Sequence, residues 1–417
     1  MLKTAIYGLV RVNFDLLGSP IWWWGVVALV VGLATALFGV VFAAAQVDMK
    51  RLLAYSSIED VGLIVVGLGL AIVFAAYRMG SLAALALVAS LYHCLNHAMF
   101  KSLLFLGTGS VLHATQERNL GKLGGLMRFM PWVAWTTLVG VVASAGLPPS
   151  NGFVSEWLLL QGFLFTGDLP NPYLRMLVPV FAAGVVLVAA LAGYVMVKFF
   201  GVIFLGRPRE EKLAQAHDAG GLERLGLAWL TAGCVLLGLF PVAVIEVMDP
   251  ITTALVGRGL ALSGRAGDWL LLAPMSAERA SYSPILFLLV TAAVVFATIV
   301  LVRRFYHGRV RRAAPWDCGF PAQTARMQDT AEGFGQPIRQ IFEPFYRMHR
   351  ELPTPFDTAP RYKVTVEDPL WGWVYLRIAA ATEAVSRWVG MLQRGRISIY
   401  LLYSFLTLVA LLFLTQA

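Results

Sequence analysis

The chain has 417 residues, 58% of them apolar and 14% charged, with a mean hydropathy of +0.71. Those values exclude an ordinary soluble domain and point to an all-α polytopic membrane protein. The net charge of +9 sits mostly in Arg clusters between apolar runs, where it sets orientation and meets anionic lipid; no basic groove-entering element argues for nucleic acid.

In chain order, Leu2–Phe14 reads as part of a membrane helix carrying Lys3 near its start. Ile21–Ala45 is a clean span opening on Trp22-Trp23-Trp24, an interfacial aromatic belt. Gln46–Leu53 reads as a polar turn holding Asp48, Lys50 and Arg51. Tyr55–Tyr77 is the next span, which puts Glu59 and Asp60 at a solvated helix start. Ser81–Leu112 follows. Met130–Phe165 is too long for one straight span, and Gly146-Leu-Pro-Pro-Ser-Asn-Gly152 interrupts it, because Pro148 and Pro149 lack amide donors. A break at membrane depth frees backbone groups, which protein or water must satisfy. Discontinuous helices of this kind mark ion pathways in transporters. Met176–Leu205, Leu225–Val247, Ser283–Val302 and Ile397–Leu414 bring the expected total to about nine spans.

Arg303–Pro369 is polar, and Leu370–Gln393 reads as an amphipathic interfacial helix. Val374, Ile378, Ala381, Val385, Trp388 and Leu392 form its apolar stripe, opposite Arg377, Glu383, Arg387 and Arg394. Lys50/Arg51, Arg118/Lys122/Arg128, Arg207/Arg209/Lys212/Arg224 and the Arg303–Arg312 cluster fall on alternate loops. The other loops carry Arg78, Arg175 and the diluted Arg258, Arg265 and Arg279. The positive-inside rule makes the first set cytoplasmic. The expected location is the inner (cytoplasmic) membrane, multi-pass.

Within Ser81–Leu112, His93, His97 and Lys101 are spaced i, i+4, i+8 and share one helix face, drifting about 40° per step. Lys101 lies about 18 Å from the nearer helix end, too deep to reach water by extension. Ionisable groups at that depth are costly and mark functional polar paths by default. Three readings compete: a metal pair at His93/His97, packed histidines, and a proton relay. Lys101 on the same stripe, and no carboxylate read beside it, weigh against metal. Histidine titrates near neutral pH, which favours the relay.

Glu156, just past the break, is either an ion-pair partner or a proton terminus. Lys198 lies about 10 Å from its helix end and either snorkels or joins the path. Glu59 is a weaker candidate. Cys94, Cys234 and Cys318 are dispersed without CxxC spacing, so no metal, iron–sulfur cluster or other cofactor is expected.

Four stretches carry a resemblance: Met1–Arg11, Asp48–Gly62, His93–Thr115 and Gly146–Leu159. They resemble the antiporter-like subunits of respiratory complex I and their relatives in multisubunit cation/proton antiporters and membrane-bound NiFe hydrogenases. Ala314–Phe320, Arg326–Phe345 and Gly395–Leu412 look like the hydrogenase branch. The resemblance implies two inverted five-helix repeats, each with a broken helix. By motif, Lys3 falls on the link between repeats, His93, His97 and Lys101 on the central relay of the second, and Glu156 on its terminal site. The first repeat would lie upstream, so a preceding segment or a separate chain is expected to carry it.

The expected organisation is a second-repeat core over 1–206, further spans over 207–304, a cytoplasmic segment over 305–369, and an amphipathic helix with a final anchor over 370–417. The expected function is proton conduction within a membrane-bound hydrogenase or NADH-dehydrogenase-like complex. Partners would be other membrane subunits, soluble hydrogenase or dehydrogenase subunits, and lipid. Driving one charge against about 150–200 mV costs on the order of 4 kcal/mol, and no redox or nucleotide motif here supplies it. The alternatives are a subunit of a multisubunit Na⁺/H⁺ antiporter and a non-conducting membrane anchor.

Overall fold

Glycine spacing builds the first hairpin. In the computed structural model, α2 (Trp22–Ala45) and α3 (Met49–Ala76) run antiparallel, with Gly25 against Gly69, Gly32 against Gly62 and Gly39 against Glu59. A Cβ added to Gly62 would stand 2.4 Å from Ala36 N, and one on Gly39 would stand 2.4 Å from Glu59 N. The two backbones therefore touch, as bilayer helices do where small residues line the seam. Gly62→Leu should push them apart and cost about 1–3 kcal/mol, the usual penalty of overpacking. A thermal melt in detergent reads this. Gly109→Leu is the control, since nothing lies within 4 Å of that position. Equal melts for the two variants would refute the seam.

The structure describes residues 2–18, 21–260, 270–275, 280–306, 313, 316–360, 363–390 and 395–416. Arg265, Arg279, Arg309, Arg311, Arg312, Leu392 and Arg394, used above for orientation or amphipathicity, lie outside them.

Residues 2–341 belong to one compact unit. Its centre is α3 with α4 (Gly80–Thr115), whose apolar windows are 78% and 72% buried. Around them stand α1 (Leu2–Arg11), α5 (Pro131–Ser144), α6 (Asn151–Leu164), α7 (Pro172–Phe204), α8 (Gly221–Leu239), α9 (Pro241–Val256), α10 (Pro284–Phe305) and the short α11 (Ala331–Ile341). Residues 342–416 form the second unit. It holds an antiparallel hairpin, β1 (Arg347–Glu351) with β2 (Lys363–Glu367), then α12 (Leu376–Gly390) and α13 (Ile397–Gln416). Ile378, Ala381, Val385 and Trp388 are all exposed on α12.

The chain is an all-α polytopic membrane protein: α2, α3, α4, α7, α8, α10 and α13 are long and apolar enough to cross a bilayer. The other two expected spans correspond to α1, of 10 residues, and to the broken helix, which forms α5 and α6 of 14 residues each. Two differences from the sequence reading matter for the site and the span count. The third span begins at Met49 rather than Tyr55, because Asp48 caps it: its Oδ1 accepts from Lys50 N at 2.9 Å and Arg51 N at 3.1 Å. Leu225–Val247 is not one helix. Pro241, without an amide donor, ends α8 and starts α9.

Candidate functional site

The helical phase of α4 holds. His93, His97 and Lys101 point to one side on successive turns, and each is at most 4% exposed. What they face is Asp60 of α3, itself 2% exposed. His93 Nε2 lies 3.2 Å from Asp60 Oδ1. Lys101 Nζ lies 2.9 Å from Oδ2, a close ion pair rather than an aligned hydrogen bond. His97 Nε2 stands off at 3.7 Å from the same oxygen. One carboxylate thus serves three nitrogen bases.

This corrects the reading of Glu59 and Asp60 as solvated. Both are 2% exposed. With the helix starting at Met49, Asp60 lies about 16 Å inside it. The stripe therefore does have a carboxylate beside it, that of Asp60. Lys101 Nζ takes the place beside Asp60 that a cation would need, so the donor set suits an ion pair and not a metal; among the described residues no group of three or more His, Cys, Asp or Glu could hold an ion.

Hydroxyl and amide side chains extend the cluster in both directions. Lys101 Nζ donates to Ser56 Oγ and, at 3.0 Å, to Ser144 Oγ at the end of α5. Ser56 Oγ in turn donates to Glu59 Oε2 at 3.2 Å. His93 Nδ1 meets Ser155 Oγ of α6 at 2.9 Å. Asn96 donates to Ser155 Oγ at 3.0 Å and to Asn151 O at 2.7 Å. On the opposite side, Lys3 Nζ of α1 meets His97 Nδ1.

The break between α5 and α6 lies beside this cluster, next to Ser144. Gly146 adopts φ +60°, which side-chain-bearing residues avoid, and turns the chain. The Glu156 carboxylate lies directly against it: a Cβ at Gly146 would be 2.4 Å from Glu156 Oε2. A Cβ at Gly152 would be 1.9 Å from Ala143 O, so the half-helices approach at backbone distance. Glu156 is part-buried and feels the charges of His93, Asp60 and Lys101. The structure therefore gathers Lys3, His93, His97 and Lys101 into one cluster, with Glu59 attached through Ser56 and Glu156 at the break.

Lys198 is not among them. It is fully buried, and its Nζ donates at 2.6 Å to both Ala44 O and Gln46 O at the C-terminal end of α2. Those carbonyls have no partner within their own helix, and a cation there also meets the negative end of the helix dipole. α11 packs over this cap, with Phe334 O accepting from the Tyr194 hydroxyl. Snorkelling is thus replaced by capping. Lys198→Met should cost on the order of 3 kcal/mol, from hydrogen bonds to a charged donor, and a thermal melt in detergent unchanged from wild type would refute the cap.

Asp60, Ser56, Ser144, Ser155, Asn96 and Asn151 were not singled out from sequence. The available signal was spacing: Ser56 and Asp60 are i, i+4 on α3, the same interval as His93, His97 and Lys101 on α4.

A family model described as "NADH:quinone oxidoreductase/Mrp antiporter, TM" matches residues 1–170. Hydrogenase-4 component B of Escherichia coli (strain K12) is 31% identical over 99% of this chain and 62% of its own length. Formate hydrogenlyase subunit 3 of the same organism is 33% identical over 87% of this chain and 57% of its own length. The chain thus spans about 60% of these two relatives. A chain of the membrane-bound sulfane sulfur reductase, an archaeal respiratory membrane complex, shares the fold with a TM-score of 0.62 at 22% identity, over 93% of this chain and 56% of that one.

Proposed function

The chain belongs, through residues 1–170, to the NADH:quinone oxidoreductase/Mrp antiporter transmembrane family, and from that premise we propose that it conducts protons as a subunit of a redox-driven membrane complex. The observation that carries this is the polar series of Lys3 with His97, Asp60 with His93 and Lys101, and Lys101 with Ser144 at the helix break, in which only the 3.7 Å step from His97 Nε2 to Asp60 Oδ2 exceeds hydrogen-bond distance. Proton movement needs groups that hold and release a proton near one another, and Lys3, His93, His97, Asp60 and Lys101 are all of that kind. Lys3 is the link, His93, His97, Asp60 and Lys101 the relay, and Glu156 the terminal donor or acceptor. The groups around Asp60 are nitrogen bases, not the oxygen cage that a hard metal cation requires. This favours proton over sodium.

The 31–33% identity to hydrogenase-4 component B and formate hydrogenlyase subunit 3 supports a hydrogenase-type complex over an NADH-dehydrogenase type. Its partners would be other membrane subunits and soluble redox subunits, in the inner membrane. The assignment is tested in inverted membrane vesicles carrying the assembled complex. Glu156→Gln should reduce redox-driven proton uptake by about tenfold or more, as loss of a positioned proton-transfer group does, while uncoupled redox turnover continues. Unchanged uptake would leave the chain as a membrane anchor.

A further inference from the structure

A second cationic cluster lies away from the bundle core. Arg128, Arg207, Arg209 and Arg326 line one cavity of about 600 Å³, together with Glu210 and Glu211. Its walls come from three separate stretches tied through main-chain groups. Gly125 N donates to Leu205 O at 2.8 Å. Gln328 accepts from Arg207 N at 3.0 Å and donates to Arg207 O at 2.8 Å. Arg209 donates to Leu123 O and to Asp329 O, so its guanidinium braces the cavity. Arg128, Arg207 and Arg326 are exposed. Four arginines face two glutamates, and Glu210 Oε2 is engaged with Lys212 Nζ at 3.1 Å.

The cavity stands where membrane helices end. α5 begins at Pro131, just after Arg128, and α7 ends at Phe204, just before Arg207. That is headgroup level, on the face that also carries Lys50, Arg51 and Lys122. Leu205, which follows the last residue of α7 and whose carbonyl accepts from Gly125 N, is 49% exposed.

We propose that this cavity binds the phosphate of an anionic phospholipid headgroup. A guanidinium is a planar fork of donors that engages phosphate oxygens in pairs. Three exposed forks held on a braced frame offer more donors than one phosphodiester can use, which favours a lipid bearing two phosphates. Basic pockets at the ends of membrane helices on the cytoplasmic side take such headgroups. Leu205 then gives the first carbons of an acyl chain an apolar surface, which a free phosphate ion would not use.

The test uses the full chain in detergent and native mass spectrometry with added diphosphatidylglycerol, phosphatidylglycerol or phosphatidylethanolamine. Wild type should retain the two-phosphate lipid best and the zwitterionic one least. The variant Arg128→Gln/Arg207→Gln/Arg326→Gln should lose about tenfold or more in retention, and Lys50→Gln/Arg303→Gln/Arg304→Gln, which removes equal charge from the same face, should stay near wild type. If the triple variant melts early, Arg326→Gln alone carries the comparison, with a smaller loss expected. Equal losses in the two variants would reduce the effect to bulk charge. Displacement of lipid by equimolar inorganic phosphate would make this an ion site. Unchanged lipid retention with loss of a co-purifying acidic protein would make it a docking face. Each of these outcomes overturns the proposal.

Discussion

Asp60→Asn is expected to lower the proposed proton flux by about a hundredfold, the lower end of what one positioned proton-transfer group contributes, in membranes carrying the assembled protein. The substitution keeps size and shape but removes the only carboxylate that His93 and Lys101 both contact among the described residues. The one amide oxygen left can accept from His93 but cannot also pair with Lys101, whose remaining hydrogen bonds are to Ser56 and Ser144. Glu59→Gln is the instructive comparison. Glu59 is as deeply buried, but it reaches Lys101 only through Ser56, so its loss should be several-fold smaller. A pH-sensitive dye in the vesicle lumen measures both. Flux within about twofold of wild type in Asp60→Asn would remove Asp60 from the path.

Lys101→Met gives the second large effect, and this one falls on stability as well. It leaves the Asp60 carboxylate, at 2% exposure, without the cation that lies 2.9 Å from it. Breaking a buried pair from one side typically costs about 3–5 kcal/mol, whereas removing both partners is often close to neutral. Asp60→Asn/Lys101→Met should therefore recover most of the lost stability in a thermal melt while flux stays absent. Such a split separates conduction from packing. A double variant that regained flux along with stability would show that the pair only holds α3 to α4.

Much of the bundle was legible because apolar runs and helical phase are local properties. The stripe on α4 and the interruption at Gly146–Gly152 follow from spacing and from two prolines. The partner of the stripe was not legible, for a traceable reason. Asp48 reads as part of a polar turn, which starts the next helix at Tyr55 and makes Asp60 shallow. Reading Asp48 as a cap moves the start to Met49 and carries Asp60 to the depth of His93. Lys198 failed differently. Its distance from the helix end allowed escape to water, and only the fold reveals that the C-terminal end of α2 and α11 stand in the way. The split at Phe240–Pro241 was missed because hydropathy averages across a single proline.

The glycine seam between α2 and α3 has a mechanical consequence. Coupled motions need interfaces with two discrete arrangements, usually side chains that can repack. Where Gly32 meets Gly62 and Gly39 meets Glu59, backbone lies on backbone, and no rotamer exists to switch. The hairpin carrying Asp60 is a stator. Any alternation of access would have to come from elements packed against it or from side chains that change partners, not from the seam itself.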